Sequence, residues 1–329
     1  MRKSIAIIGA GISGLTLAQN LKDYADVVVY EKARGVGGRM STRYADPFYF
    51  DHGTQFFTAR TQAFQGFISP LIKIDVIAEW KGKVITYQAD KTVKDRLWFE
   101  PHYVATPHMN CLSKHLAEDI DVRVNTEIAP LCEKRADGWH LFSKDGTTLG
   151  VFDWVICTAP PAQTLNLLQA VLRDESPLHH VKLQGCFTLM LGFHTPWRKS
   201  WMAAKVHESP IEWIAVNSSK PGRNKEVTTI VVNSRNDWAE QHIEDDLQQT
   251  QNYLVQQFEA VTGITCDKAD YLSMHRWKYA IVVENEKTGF YIDPQNNIAA
   301  IGDWASASRI EAVWLNAVSL ANDIAKLIK

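Results

Sequence analysis

The chain has 329 residues, enough for two domains at the usual ~100–200 residues each. Hydrophobic residues make up 46% and charged residues 22%, the balance of an ordinary soluble globular protein, and a formal net charge of −2 gives no global field to recruit nucleic acid. No apolar stretch reaches the ~20 residues that a bilayer-spanning helix needs, and five scattered cysteines with no C-x-x-C pair argue against a disulfide framework or a zinc site and suit a reducing cytoplasm.

The apolar run Ile5-Ala6-Ile7-Ile8 leads directly into Gly9-Ala10-Gly11-Ile12-Ser13-Gly14, after which Leu15, Leu17, Ala18 and Leu21 fall at helical spacing. A second run, Val27-Val28-Val29-Tyr30, ends on Glu31, 17 residues beyond Gly14. Strand, glycine turn, helix, strand and acid together form a dinucleotide-binding pattern. Gly9 allows the tight turn, Gly11 lets the backbone approach a pyrophosphate, and Gly14 lets the helix pack closely on the strand. A diphosphate there meets free N–H groups at a helix N-terminus. Glu31 would accept hydrogen bonds from an adenosine ribose and disfavour a 2′-phosphate. Such a start serves a nicotinamide dehydrogenase or a flavoenzyme equally well. The basic start followed by apolar residues to Ala18 superficially resembles a secretory signal, but three glycines interrupt it and a second strand follows in register.

Further along, Gly35-Val36-Gly37-Gly38-Arg39 has no place in a simple nicotinamide domain. Its glycine pair permits a tight turn, and Arg39 can lie against a diphosphate or a ring edge. After DHGTQFFTAR (51–60) the pattern predicts a helix over 64–72, and then strands at 76–80 and 84–87 paired around Lys81-Gly82-Lys83. A helix over 108–119, strands at 122–124 and 128–131, turns at Asp137-Gly138 and Asp145-Gly146, and a strand at 154–158 follow. Beyond Pro160-Pro161, three strand candidates at 187–193, 211–216 and 227–232 suggest an antiparallel sheet. One long amphipathic helix is expected from Asp237-Trp238 to about Thr262, with Leu247, Tyr253, Leu254 and Phe258 on its buried face. In the stretch 274–279, period-two geometry puts His275, Trp277 and Tyr279 on one face. A hairpin around Asn296-Asn297, the strand end Ile301-Gly302-Asp303 and a helix from about Arg309 to Ile328 close the chain. Asp303 could accept hydrogen bonds from ribityl hydroxyls, and the last helix would aim its positive end at the pyrimidine side of a flavin. The nucleotide-binding domain is expected to be discontinuous, at 1–75, 100–162 and 278–329, with 76–99 and 163–277 forming a substrate domain. Each cysteine is expected to be a buried small hydrophobe.

The order GAGISG, Glu31-Lys32, GVGGRMSTR, DHGTQFF, VICTAPP, HRWKYA and AIGDW resembles the amine-oxidase-like FAD oxidoreductases of the glutathione-reductase and p-hydroxybenzoate-hydroxylase kind, and most closely the bacterial renalases. The likeness runs over essentially the whole chain. It implies an α/β fold, with a Rossmann-type, p-hydroxybenzoate-hydroxylase-like FAD-binding domain and an inserted antiparallel-sheet plus helix substrate domain. It also implies non-covalent FAD. Carried over by position, Gly9, Gly11, Ile12, Ser13 and Gly14 cradle the diphosphate, Glu31 binds ribose, and Lys32, Gly38 and Arg39 flank the adenosine diphosphate. Gln55 and Phe56 run close to the flavin ring, the backbone amide of Ile128 meets adenine, and Gly302, Asp303 and Ile310 lie near the ribityl chain and pyrimidine edge. One departure is visible. Related flavoenzymes show Arg-Val-Glu-Gly-Ala and later a Ser-Gly pair in the last helix, where this chain has Arg309-Ile310-Glu311-Ala312-Val313 and Asn316-Ala317. The C-terminal 60 residues hold no cysteine, which excludes a cysteinyl flavin link there.

The activity that the resemblance implies is oxidation of aberrant dihydro-NAD(P) isomers, with hydride at the 2 or 6 position, to NAD(P)+. Electrons would pass through flavin N5 to O2 and give hydrogen peroxide. Losing hydride from a dihydropyridine restores aromaticity and needs no base, which agrees with the lack of a nucleophile elbow, an H-E-x-x-H motif or a carboxylate pair. The implied partners are a dihydronicotinamide dinucleotide and O2, with no metal, nucleic acid or membrane, in the cytoplasm. Substrate contacts are sought at Phe57, Thr58, Arg60, Trp98 beside Phe99, Trp277 and Arg309. Trp277 serves equally well as core, and His275 reads as structural. A flavin oxidase of a small amine, or an FAD carrier without turnover, would use the same cofactor residues.

Overall fold

The computed structural model describes residues 2–132, 134–172, 176–284, 289–306 and 308–329; Met1, part of the signal-like start, lies outside them. The chain divides into two units, 1–38 with 112–182 and 282–329, and 39–111 with 183–281. Residues 39–75 and 100–111, expected with the nucleotide-binding part, cluster with the second unit, and 163–182 cluster with the first.

In the first unit a six-stranded sheet runs in the order Tyr291–Asp293, Ile298–Ala300, Trp154–Cys157, Lys3–Ile8, Ala25–Tyr30, Asp121–Arg123. Its pairings are parallel except for the edge hairpin Tyr291–Asp293 with Ile298–Ala300. A parallel strand is covered on both faces, so it reads as an unbroken apolar run, and Ile5, Ala6 and Ile7 are fully buried. From Lys3–Ile8 the chain crosses through the Ile12–Leu21 helix to Ala25–Tyr30 on one side, while Trp154–Cys157 pairs on the other. That reversal is the switch point at which doubly wound sheets bind ligands. The Ile12–Leu21 helix packs against the terminal helix Ile310–Ile328, which buries Val313, Ala317, Leu320 and Ile324 at helical spacing.

In the second unit a seven-stranded sheet runs Tyr271–Glu284, Lys182–Phe193, Thr228–Ser234, Ile211–Val216, Trp201–Val206, Lys83–Tyr87, Val93–Arg96. One face packs on helices through Phe187, Leu189, Leu191, Ile214, Val216, Ile230 and Val232, with Leu254 and Phe258 on the helical side. On the other face Met190 and Val231 meet Phe48 and Phe50, and a Cβ on Gly192 would fall 2.8 Å from the Phe48 ring.

Several expected elements differ. The strand Ile77–Glu79 pairs with Tyr103–Ala105 rather than with its sequence neighbour. Lys83–Tyr87 instead joins the large sheet, parallel to Trp201–Val206 and antiparallel to Val93–Arg96. The sheet is therefore mixed, and the strand Trp201–Val206 was not anticipated. The expected strand at 128–131 is reduced to a single bridge between Ile128 and Ser143. The long helix is two helices, Asn236–Gln241 and Leu247–Thr262; the second starts where the Asp246 carboxylate accepts from Gln249 N–H and ends at Gly263 with φ +67°. That new start leaves Leu247 and Tyr253 exposed and only Leu254 and Phe258 of the expected four buried. Cys157, Cys186 and Cys266 are buried as expected, but Cys132 is exposed and Cys111 only half-buried. Among the described residues no helix is long and apolar enough to cross a membrane.

Candidate functional site

In the first unit the chain turns after Lys3–Ile8 on Gly9, at φ +109°. A Cβ there would strike Thr158 Oγ1 at 2.5 Å, the hydroxyl that donates to the carbonyls of Ile8 and Gly9 at 3.0 and 3.1 Å. At Gly14 a Cβ would sit 2.0 Å from the Gly9 carbonyl oxygen, so glycine alone lets the helix lie this close. Gly11 is different, because nothing within 4 Å would meet its Cβ. It caps the Ile12–Leu21 helix with extended backbone and no side-chain hydrogen bond, so the cap residue takes none of the first-turn N–H groups. Open space, uncapped donors and a positive helix end fit a diphosphate. The Gly35 to Gly38 turn folds onto this place, with Gly37 N–H donating to Ala10 O at 2.9 Å.

Around this cradle, the Glu31 carboxylate accepts from Ala10 N–H at 2.9 Å and Ala33 N–H at 2.8 Å. A carboxylate has about four lone-pair sites, and these two bonds fill half of them. Lys32 donates to Gln163 at 2.9 Å. The bonds flanking the Ile128–Ser143 bridge run from Ala129 N–H to Phe142 O and from Lys144 N–H to Glu127 O, which leaves the Ile128 amide outside the bridge. Asp303 is buried and accepts from Ser308 Oγ at 2.8 Å. Arg309, exposed, stands at the N-cap of the Ile310–Ile328 helix without a side-chain cap bond.

In the second unit Arg39 donates to the carbonyls of Ala280 and Tyr279, at 3.2 and 3.4 Å, which ties it to the strand Tyr271–Glu284. Its own carbonyl accepts from Thr54 N–H at 2.8 Å, so close that a Cβ on Gly53 would overlap it at 2.0 Å. The 51–56 stretch is held by a buried ion cluster that the sequence did not disclose. Asp51 Oδ2 accepts from Arg223 at 2.7 Å and from Lys220 at 3.2 Å; Oδ1 accepts from Thr42 Oγ1 and Met109 N–H, both at 2.9 Å. The Asp51 and Lys220 side chains are 0% exposed and that of Arg223 is 2%. Burial alone would oppose the charge on Asp51, but Lys220, Arg223 and the Met109 amide outweigh it and hold the carboxyl well below the usual range. With one anion for two cations, Lys220 is the weaker member. Burial and the Arg223 charge push it down to about 8 against the pull of Asp51. Lys220 also donates to Gln55 Oε1 at 3.3 Å, while Gln55 Nε2 donates to Asp51 O at 2.6 Å.

His52 follows Asp51. Burial, then His275 and Arg43, push it down to about 4, so its ring is neutral near pH 7. Trp277 stacks on it at 5.2 Å and donates its indole N–H to the His52 carbonyl at 3.0 Å, and His275 packs edge-on against both. Trp277, which reads equally well as substrate contact or core, therefore spends its indole N–H on fixing His52, and His275 packs as a structural residue. Phe57 is 4% exposed and packs against Phe64 and Tyr103, which makes it core. Arg60 pairs with Glu100 at 2.8 Å, and Thr58 is half-buried. Trp98 and Phe56 do come together, with ring centroids 5.3 Å apart. Asp51, Lys220, Arg223, His102 and Trp213 were missed. The one available hint was a lysine set against Pro221-Gly222, which resembles a solvent-facing turn.

Residues 7–70 match the NAD(P)-binding Rossmann-like domain, and residues 88–317 match the flavin containing amine oxidoreductases. Among solved structures, a protein from Exiguobacterium sp. 255-15 provisionally assigned as a protoporphyrinogen oxidase aligns with a TM-score of 0.80 at 12% identity over 99% of both chains. Wild-type putrescine oxidase bound to putrescine gives 0.74 at 13% identity, over 98% of this chain and 99% of that one. Cyclohexylamine oxidase from Brevibacterium oxydans IH-35A gives 0.74 at 12%, over 98% and 100%. At such identities the likeness is one of fold.

Proposed function

The chain belongs to the flavin containing amine oxidoreductase family, and on that premise we propose that it is a renalase-like, FAD-dependent oxidase of misreduced dihydro-NAD(P), the isomers with hydride at position 2 or 6. The residues that would hold non-covalent FAD are the Gly9 to Gly14 turn at the diphosphate, Glu31 at the ribose, the Ile128 amide at adenine, and Asp303 with Ile310 along the ribityl chain and pyrimidine edge. When bound, the flavin supplies the electron sink, taking the hydride and returning two electrons to O2 as hydrogen peroxide.

The observation that carries this reading is the fixed protonation of Asp51 and His52, with Lys220, at about 8, fully buried and bonded to Asp51 and Gln55. Asp51 is held ionised by two cations, and His52 is held neutral by burial. Neither is poised to gain or lose a proton near neutral pH, as a general acid or base would be. Hydride loss from a dihydropyridine needs no such group. Oxidising a small primary amine is the second reading; the activities for which putrescine oxidase and cyclohexylamine oxidase are named favour it. The test is product analysis in air. The 2- and 6-dihydro isomers should disappear with NAD(P)+ and hydrogen peroxide formed one for one. Peroxide formed from putrescine or cyclohexylamine, with none from the isomers, overturns the proposal in favour of the amine.

A further inference from the structure

Five rings from separate stretches meet in the second unit: Phe56, Trp80, Trp98, His102 and Trp213. Phe56 is the hub, with centroids 4.5 Å from His102, 5.3 Å from Trp98, 5.8 Å from Trp213 and 6.4 Å from Trp80. His102 lies on Trp98 at 3.6 Å and 21°, and the Trp98 and Trp213 planes are within 11° of parallel, 6.5 Å apart. Trp80 is fixed from behind. Its indole N–H donates to Ser219 at 3.1 Å, and the Lys220 ammonium sits 5.4 Å from its ring centre.

Trp213 has no such anchor. Its indole nitrogen is buried with no hydrogen-bond partner among the described residues, an unmade bond that a ligand's acceptor would complete. In the strand Ile211–Val216, Ile214 and Val216 enter the helix-side core. Period two sets Trp213 on the face of Ala215, which pairs with Ala203, so this side of the sheet is floored by small residues. His102 supplies the complementary group. Its Nδ1 lies 2.8 Å from the Glu100 carbonyl, a bond that requires the proton on Nδ1 and leaves Nε2 as an acceptor.

We propose that this cluster recognises a planar ring bearing a primary carboxamide: Trp213 Nε1–H donates to the carboxamide oxygen, His102 Nε2 accepts from its NH2, and the ring lies against Phe56 and Trp98. The assignment rests on the dihydronicotinamide reading above and names the side chains that would tell a nicotinamide from an amine. Both are binding contacts; no bond forms or breaks at them.

The test is equilibrium titration of the holoenzyme with NAD+ and with its 3-acetylpyridine analogue, which keeps the oxygen but lacks the NH2, followed by the change in flavin absorbance. Trp213→Phe keeps the ring and should weaken both ligands about tenfold. His102→Phe keeps the stack and should weaken NAD+ by a similar factor while leaving the acetyl analogue unchanged. Flavin content and melting temperature identify a variant that has merely failed to fold, and Trp213→Leu then replaces Trp213→Phe and His102→Leu replaces His102→Phe, each again removing the polar group, with the same expectations. Absence of NAD+ binding by the wild type, or equal affinity of variants and wild type for NAD+, overturns the assignment. If the wild type binds NAD+ with these variant effects yet oxidises neither dihydro isomer, carboxamide recognition stands and the oxidase reading falls. If it oxidises the isomers while the variants bind normally, the recognition proposal alone falls.

Discussion

At the glycine turn of the first unit, the Ile12–Leu21 helix begins on Gly11 with no side-chain cap, and the space beside Gly11 is open. Around Asp51 in the second unit, four donors from Thr42, Met109, Lys220 and Arg223 fill the carboxylate, although the buried Arg223 Nε–H meets no acceptor among the described residues. Both places are polar, but one keeps its donors available and the other consumes them. The contrast teaches how to separate a site that receives an anion from one that holds the chain in shape, since an unmade buried hydrogen bond costs more than a made one contributes.

The comparison is broken most severely at Gly14. Gly14→Val would put side-chain atoms into the Gly9 carbonyl, so the variant should purify almost free of flavin, as read by its visible absorbance relative to protein. Flavin at the wild-type level would show that the turn does not hold the cofactor. Next comes Asp51→Asn, which leaves Lys220 and Arg223 buried without a counter-charge. It should cost about 3–5 kcal/mol in urea unfolding, and a loss under 1 kcal/mol would mean that water reaches the cluster.

Acid provides a milder perturbation. His52 titrates near pH 4 when folded against 6.5 when unfolded, so between those values the unfolded chain binds the extra proton. Stability present above pH 6.5 is therefore lost as pH falls to about 4, by roughly 3 kcal/mol. His52→Phe should make that segment of the curve shallower, leaving the losses from His102 and His275, whose pKa values are lowered in the same sense, and Asp51, whose pKa is also lowered, adds its loss only below about 3.8. The smallest effect is expected at Trp277. Trp277→Phe removes one hydrogen bond to the His52 carbonyl and should lower stability by about 1 kcal/mol with kcat/KM unchanged; a rise in KM alone would return Trp277 to the substrate.

The two regions also differ in how far the sequence reveals them. The glycine cradle acts through backbone, and its spacing from Gly9 to Glu31 lies within one strand–helix–strand unit, so local pattern suffices. The Asp51 cluster joins side chains about 170 residues apart, and Lys220-Pro221-Gly222-Arg223 carries the composition of an exposed turn. Tertiary contact alone buries it. The same limit explains the misread pairing of Ile77–Glu79, where the turn-like Lys81-Gly82-Lys83 gives way to a partner across the chain at Tyr103–Ala105. The split at His242 to Asp246 was hidden because an Asp inside a helical pattern signals a new cap only when the chain bends there.

The central claim is that the electron donor is a misreduced nicotinamide. Anaerobic holoprotein should be mixed rapidly with 2-dihydro-NAD, 6-dihydro-NAD, putrescine and cyclohexylamine in turn, following the flavin absorbance. The account predicts prompt bleaching by at least one isomer and none by the amines on the same timescale. Prompt bleaching by an amine with both isomers inert would contradict it.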